Sequence, residues 1–85
     1  METIENRIRE MIQAQTIVEV TDLSNQAKLT ADLDFDELDV VELVMSIEEA
    51  FEISISDVDG QKLESGTVQD VIDYVKKRFA PRKST

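Results

Sequence analysis

The chain has 85 residues, no cysteine, no histidine and a formal net charge of -10. That length suits one domain with a small core, and the missing residue types exclude disulfides, thiolate metal sites, a cysteine nucleophile and a histidine base. The acidity argues against nucleic acid and anionic membrane surfaces as direct partners and favours partners with a basic patch.

The apolar content of 41% supports a globular domain rather than wholesale disorder. No apolar run is long enough for a membrane span, and Met1-Glu2-Thr3-Ile4-Glu5 lacks the basic-then-apolar layout of a signal peptide. The expected location is cytoplasmic, with an organelle as the alternative if a targeting segment is absent from this chain.

In chain order, the first pattern is helical: Ile4, Ile8, Met11 and Ile12 share a face, with Glu5, Asn6, Arg9 and Gln13 elsewhere. The stretch from Thr16 to Phe35 is too long for a structureless loop unless Leu23, Leu29, Leu33 and Phe35 pin it to a core. A second helix is predicted from about Glu37 to Phe51, with Asp36 as N-cap and Asp39 in the first turn. Ile53 to Ser65 is a shorter connection, where Gly60 limits any helix to a turn or two. Glu52 to Ser56 alternates like a strand, but the three longer helical patterns outweigh so short a signal. A last helix follows Ser65-Gly66, capped by Thr67 with Asp70 three residues on. Val68, Val71, Ile72, Val75 and Phe79 form its stripe, and Lys76, Lys77 and Arg78 complement its dipole at the C-terminal end. These elements predict an all-α four-helix bundle with three longer helices, one short helix and a long first loop. The domain is expected over residues 1–79, followed by a frayed basic tail at 80–85.

Charge is unevenly distributed. From Leu29 to Gln61 the chain carries 11 Asp and Glu and no Lys or Arg. Such asymmetry reads either as a directional interaction surface or as a solvated face that aids solubility. At about 100° per residue, the middle helix places Val40, Leu43, Val44, Ile47, Ala50 and Phe51 on a core arc. Opposite stand Leu38, Val41 and Met45, among Glu42, Glu48 and Glu49. The pattern fits a docking helix with apolar anchors and a charged rim. It fits equally a face covered by the first loop or carrying ordinary exposed apolar residues.

The run Asp32-Leu33-Asp34-Phe35-Asp36-Glu37-Leu38-Asp39-Val40-Val41-Glu42-Leu43-Val44-Met45 resembles the signature of acyl carrier proteins. The likeness continues through Ile47-Glu48-Glu49-Ala50-Phe51 and through Thr67-Val68-Gln69-Asp70-Val71-Ile72-Asp73-Tyr74-Val75, and covers about residues 4–79. In that family the serine of an Asp-Ser-Leu triplet opens the second helix and carries 4'-phosphopantetheine, whose thiol holds acyl groups as thioesters. Here the matching triplet is Asp36-Glu37-Leu38. A carboxylate is not an acceptor that yields a stable phosphate ester, so Glu37 is predicted to be unmodified and no cofactor is predicted. Ser24, Ser46, Ser54, Ser56, Ser65 and Ser84 all lie outside an Asp-Ser-Leu context.

The resemblance also implies that the second helix is the recognition helix. Asp36, Leu38, Asp39, Val41, Glu42, Met45, Glu48 and Glu49 then become partner-docking positions. The partners implied are synthases, acyltransferases and a phosphopantetheinyl transferase with basic patches. As a negative side chain in the first turn of a helix, Glu37 has a structural use as well, worth about 0.3–1 kcal/mol against the dipole.

Asp32, Asp34 and Asp36 resemble the start of a calcium loop. That loop requires glycine and glutamate where this chain has Glu37 and Leu43, which rejects it. Loose divalent-cation binding would still relieve the cluster's repulsion. No glycine-rich phosphate loop is present, and carboxylate pairs without a convergent pocket are solvated charges rather than acid–base catalysts.

Three functions stay open. One is a carrier-like module of fatty-acid, lipid or polyketide biosynthesis that docks but lacks the attachment serine. The second is a working or deliberately blocked acyl carrier protein. The third is a small acidic interaction protein unrelated to acyl chemistry. A monomer without enzymatic activity is expected in each case.

Overall fold

The computed structural model describes residues 3–16 and 23–79. The expected tail at 80–85 and part of the first loop lie outside them. Four helices follow in order: α1 Ile4–Gln15, α2 Glu37–Phe51, α3 Asp57–Glu64 and α4 Val68–Arg78. Among the described residues there is no strand, and Glu52 to Ser56 forms the connection into α3 rather than a strand. Among the described residues, no helix is long and apolar enough to cross a membrane.

The helix ends follow from local chemistry. Thr3, Asp36, Ser56 and Thr67 cap α1 to α4, each accepting a backbone N–H from three residues on. This relieves one of the four donors that every helix start leaves unpaired. In α2 and α4 the bond is reciprocal: the Asp39 and Asp70 carboxylates accept from the backbone N–H of Asp36 and Thr67. α2 stops where Glu52 turns left-handed, at φ 55°, and the Ile53 N–H donates back to the Glu48 carbonyl.

The core is wholly apolar among the described residues. Ile8 and Ile12 of α1 meet Val40, Leu43, Ile47 and Phe51 of α2. Val68, Val71, Ile72 and Val75 of α4 complete it. α1 packs on both α2 and α4, while α3 rests on α2 and contributes a single buried side chain, Leu63.

Leu23, Leu29, Leu33 and Phe35 are all buried, so the described part of the first loop is pinned as its length requires. Its backbone is tied down too: Leu29 N–H donates to the Gly66 carbonyl and Val68 N–H to the Ala27 carbonyl, beside an antiparallel bridge between Lys28 and Thr67. Asn25 is a polar hub. Its amide donates to Glu5 and Gln69, and its side-chain oxygen accepts from Arg9.

Three positions depart from the helical-wheel assignment. Ala50 is exposed, because it stands at the edge of the arc. Val44 is half-buried because α3 covers it only partly. Phe79 falls just past the end of α4 and stays 40% exposed, its ring edge-on to Phe51 at 5.5 Å.

Candidate functional site

The N-terminal half of α2 is positioned from three sides. Phe35 is buried next to Asp34, which adopts φ 59°. This left-handed residue turns the chain so that Phe35 enters the core and Asp36 caps the helix. The Gln15 side-chain amide donates to the Asp39 carbonyl, joining the end of α1 to the start of α2. The Thr16 hydroxyl donates to the Leu33 carbonyl at 2.9 Å. Glu37 is therefore the first residue of a helix held in place by its neighbours, and it is itself exposed.

Leu38, Val41 and Met45 are 71%, 47% and 60% exposed, the face predicted from the wheel. Glu42 and Glu49 flank them, also exposed. Other acidic positions are less free. Asp36 and Asp39 each place one carboxylate oxygen in the capping box at 2.9 and 3.1 Å. Glu48 is half-buried and accepts from the Ile55 N–H at 2.8 Å, which clamps the α2–α3 connection to the helix. Glu48 thus has a structural bond that periodicity does not reveal, since its partner is a backbone group seven residues on.

The side of α2 that turns toward α3 forms a groove of about 470 Å³. Its apolar surface comes from Val40, Val41, Val44, Met45 and Ile55, and its carboxylates from Glu37, Glu48, Asp57 and Glu64. Gly60 and Gln61 form part of the α3 wall. On the α1 side, a shallower depression is bordered by Gln15, Glu42, Met45, Ser46 and Glu49. The groove was not marked by any sequence pattern, because its walls come from two helices of different phase.

The α3 wall and the connection that precedes it are anchored to α4 by polar contacts. The Tyr74 hydroxyl donates to Asp59 at 2.7 Å, and Arg78 donates to the Ser54 carbonyl at 2.7 Å. Burial, and after it the bond to the Asp59 carboxylate, raise the Tyr74 pKa above its usual 10.0. Both moves favour the neutral phenol, since burial penalises the phenolate and the bond uses the hydroxyl proton.

Among the described residues no group of three or more His, Cys, Asp or Glu converges on a point that could hold a metal ion. The Asp32–Asp36 cluster is used locally instead: Asp32 accepts the Lys28 N–H at 2.7 Å and Asp36 caps α2. The surface therefore presents a groove, exposed apolar side chains and carboxylates.

Residues 6–75 match the family model described as the phosphopantetheine attachment site. The match contains the whole of α2 and α3 and most of α1 and α4, and it agrees with the resemblance carried by the Asp32–Met45 and Thr67–Val75 segments. This chain belongs to the phosphopantetheine-attachment family, the acyl carrier protein fold, whose members are carrier domains rather than enzymes.

Proposed function

We propose that the domain is a carrier-like module of fatty-acid, lipid or polyketide biosynthesis that docks on partner enzymes through α2 and lacks the serine for 4'-phosphopantetheine. The observation that carries this reading is the exposed apolar set Leu38, Val41 and Met45 bordered by Glu42 and Glu49, directly after Glu37 at the first position of α2. Apolar anchors give such a contact its energy, and the acidic border gives it orientation and speed of encounter.

The residues at the attachment position do not fit the prosthetic group. Attachment uses a hydroxyl on the residue that opens α2, and Glu37 brings a carboxylate there. Ser46 lies in the middle of α2, and the Ser56 hydroxyl is engaged as the N-cap of α3. The partners of this reading are synthases and acyltransferases with basic patches, and its setting is a cytoplasmic monomer. The family match also favours a second reading, in which the scaffold is that of a competent carrier with only its acceptor exchanged.

Titration against a carrier-dependent synthase tests the docking. Affinity should fall with salt, and should fall about tenfold in Met45→Ala and in Glu42→Lys, as for residues central to a small interface. Absence of binding to any such enzyme contradicts the proposal and leaves an acidic interaction protein outside acyl chemistry.

A further inference from the structure

We propose that the C-terminal end of α4 is a second interaction surface, on which Lys76, Lys77 and Arg78 around Phe79 seat the domain on an anionic lipid surface. The inference is independent of docking through α2. A net charge of -10 opposes such contact for the molecule as a whole, but the charge is not evenly placed. From Lys76 to Thr85 the sequence carries five Lys and Arg and no Asp or Glu, more than half of the chain's nine cations.

The fold sets this end apart from the acidic start of α2. Gln15 at the end of α1 bonds to Asp39 near the start of α2, and Arg7, earlier in α1, lies over the Phe51 ring at 5.3 Å. The two helices are therefore antiparallel, and Phe79, edge-on to Phe51, marks the end of α2 remote from Glu37. At about 1.5 Å per residue, α2 separates its two ends by roughly 20 Å. That exceeds the screening length of about 8 Å at physiological salt. At about 100° per residue, Lys76, Lys77 and Arg78 fan round three sides of the helix end, all exposed. Arg78 is held by the Ser54 carbonyl and lies over the Tyr74 ring. Phe79 stays 40% exposed beside them.

The acids of the adjoining turns, Glu48, Glu52 and Asp73, are outnumbered by Arg7, Lys76, Lys77 and Arg78. Complementing the helix dipole accounts for cations in the last turn of α4. It does not account for Arg82 and Lys83 further along the sequence, nor for an exposed aromatic next to the cations. Neither depression described above reaches this end, and one helix end is small beside the roughly 800 Å² that each partner buries in a stable protein contact. A lipid surface requires neither a recess nor that area. Clustered Lys and Arg meet anionic headgroups, and an aromatic ring settles at headgroup level.

The test uses the whole chain and vesicles of equal parts phosphatidylcholine and phosphatidylglycerol, with phosphatidylcholine vesicles as the control. The chain has no Trp, so Phe79→Trp places a single fluorescent reporter at the contact. Its emission should move to the blue on the anionic vesicles alone, and added salt should reverse the shift. Lys77→Gln, which leaves the core untouched, should weaken binding about fivefold in a sedimentation assay, the effect of one cation at an anionic surface. Phe79→Ala should weaken it about tenfold, with circular dichroism confirming the fold. Lys28→Gln makes the same charge change beside Thr67, at the other end of α4, and should leave binding unchanged.

Absence of binding to the anionic vesicles overturns the proposal. So does an equal loss in Lys28→Gln and Lys77→Gln, because net charge and not this end then governs the contact. A blue shift with polyglutamate and none with vesicles also overturns it, since the partner is then an acidic protein segment.

Discussion

Among the described residues, two that are not glycine adopt left-handed backbone, Asp34 and Glu52. Asp tolerates that region through its short polar side chain, whereas Glu has no such help. Glu52→Gly should therefore raise the stability by up to about 1 kcal/mol, and Glu52→Val should lower it by about 1–2 kcal/mol, read from denaturant midpoints. At Gly66 the constraint is space rather than φ. A Cβ there would lie 2.8 Å from Asp70 Oδ2, the oxygen that accepts the Thr67 N–H in the capping box.

Tyr74 sets a pH dependence. Its pKa is higher in the folded chain than its ordinary 10.0, so above about pH 10 the unfolded chain releases this proton first and stability declines with rising pH. The contribution is complete below the unfolded pKa and is lost as pH rises through the folded one. Tyr74→Phe should flatten this part of the alkaline limb in thermal melts taken across that range.

At the scale of the elements, the capping boxes are the local features that set helix ends. Asp36→Ala and Thr67→Ala should each cost about 1 kcal/mol in chemical unfolding. Helix positions were legible in the sequence for the same reason. The caps and the apolar repeats of α1, α2 and α4 are encoded within a few residues of one another, and α2 was expected from about Glu37 to Phe51, where it lies.

Contacts between elements were not legible. Tyr74 with Asp59, and Asn25 with Glu5 and Gln69, join polar side chains far apart in the chain, and Arg78 reaches the backbone carbonyl of Ser54. Periodicity carries no information on such pairs. The groove escaped for a related reason, since it exists only once α3 is placed beside α2. The exposed face of α2 was legible because the wheel isolates Leu38, Val41 and Met45, whereas Ala50 at the edge of the core arc was assigned inward and lies outward.

Over the whole molecule, charge is the dominant asymmetry. Net charge of -10, with the acids concentrated in the segment that holds α2 and most of α3, opposes compaction by self-repulsion. Moderate sodium chloride should raise the melting temperature from its value at very low ionic strength. The same salt should weaken docking on a basic partner, so stability and binding should move in opposite directions over one titration. A protein whose binding rose with salt would not be using this face.

We propose that the scaffold is that of a carrier and that Glu37 separates it from carrier chemistry. Intact mass after incubation with coenzyme A and a broad-specificity phosphopantetheinyl transferase tests this directly, with Glu37→Ser treated in parallel. The prediction is that the original chain keeps its mass and Glu37→Ser gains one 4'-phosphopantetheine. A prosthetic group on the original chain would contradict the assignment of Glu37. Failure to modify either protein would contradict the claim that the recognition surface of a carrier has been retained.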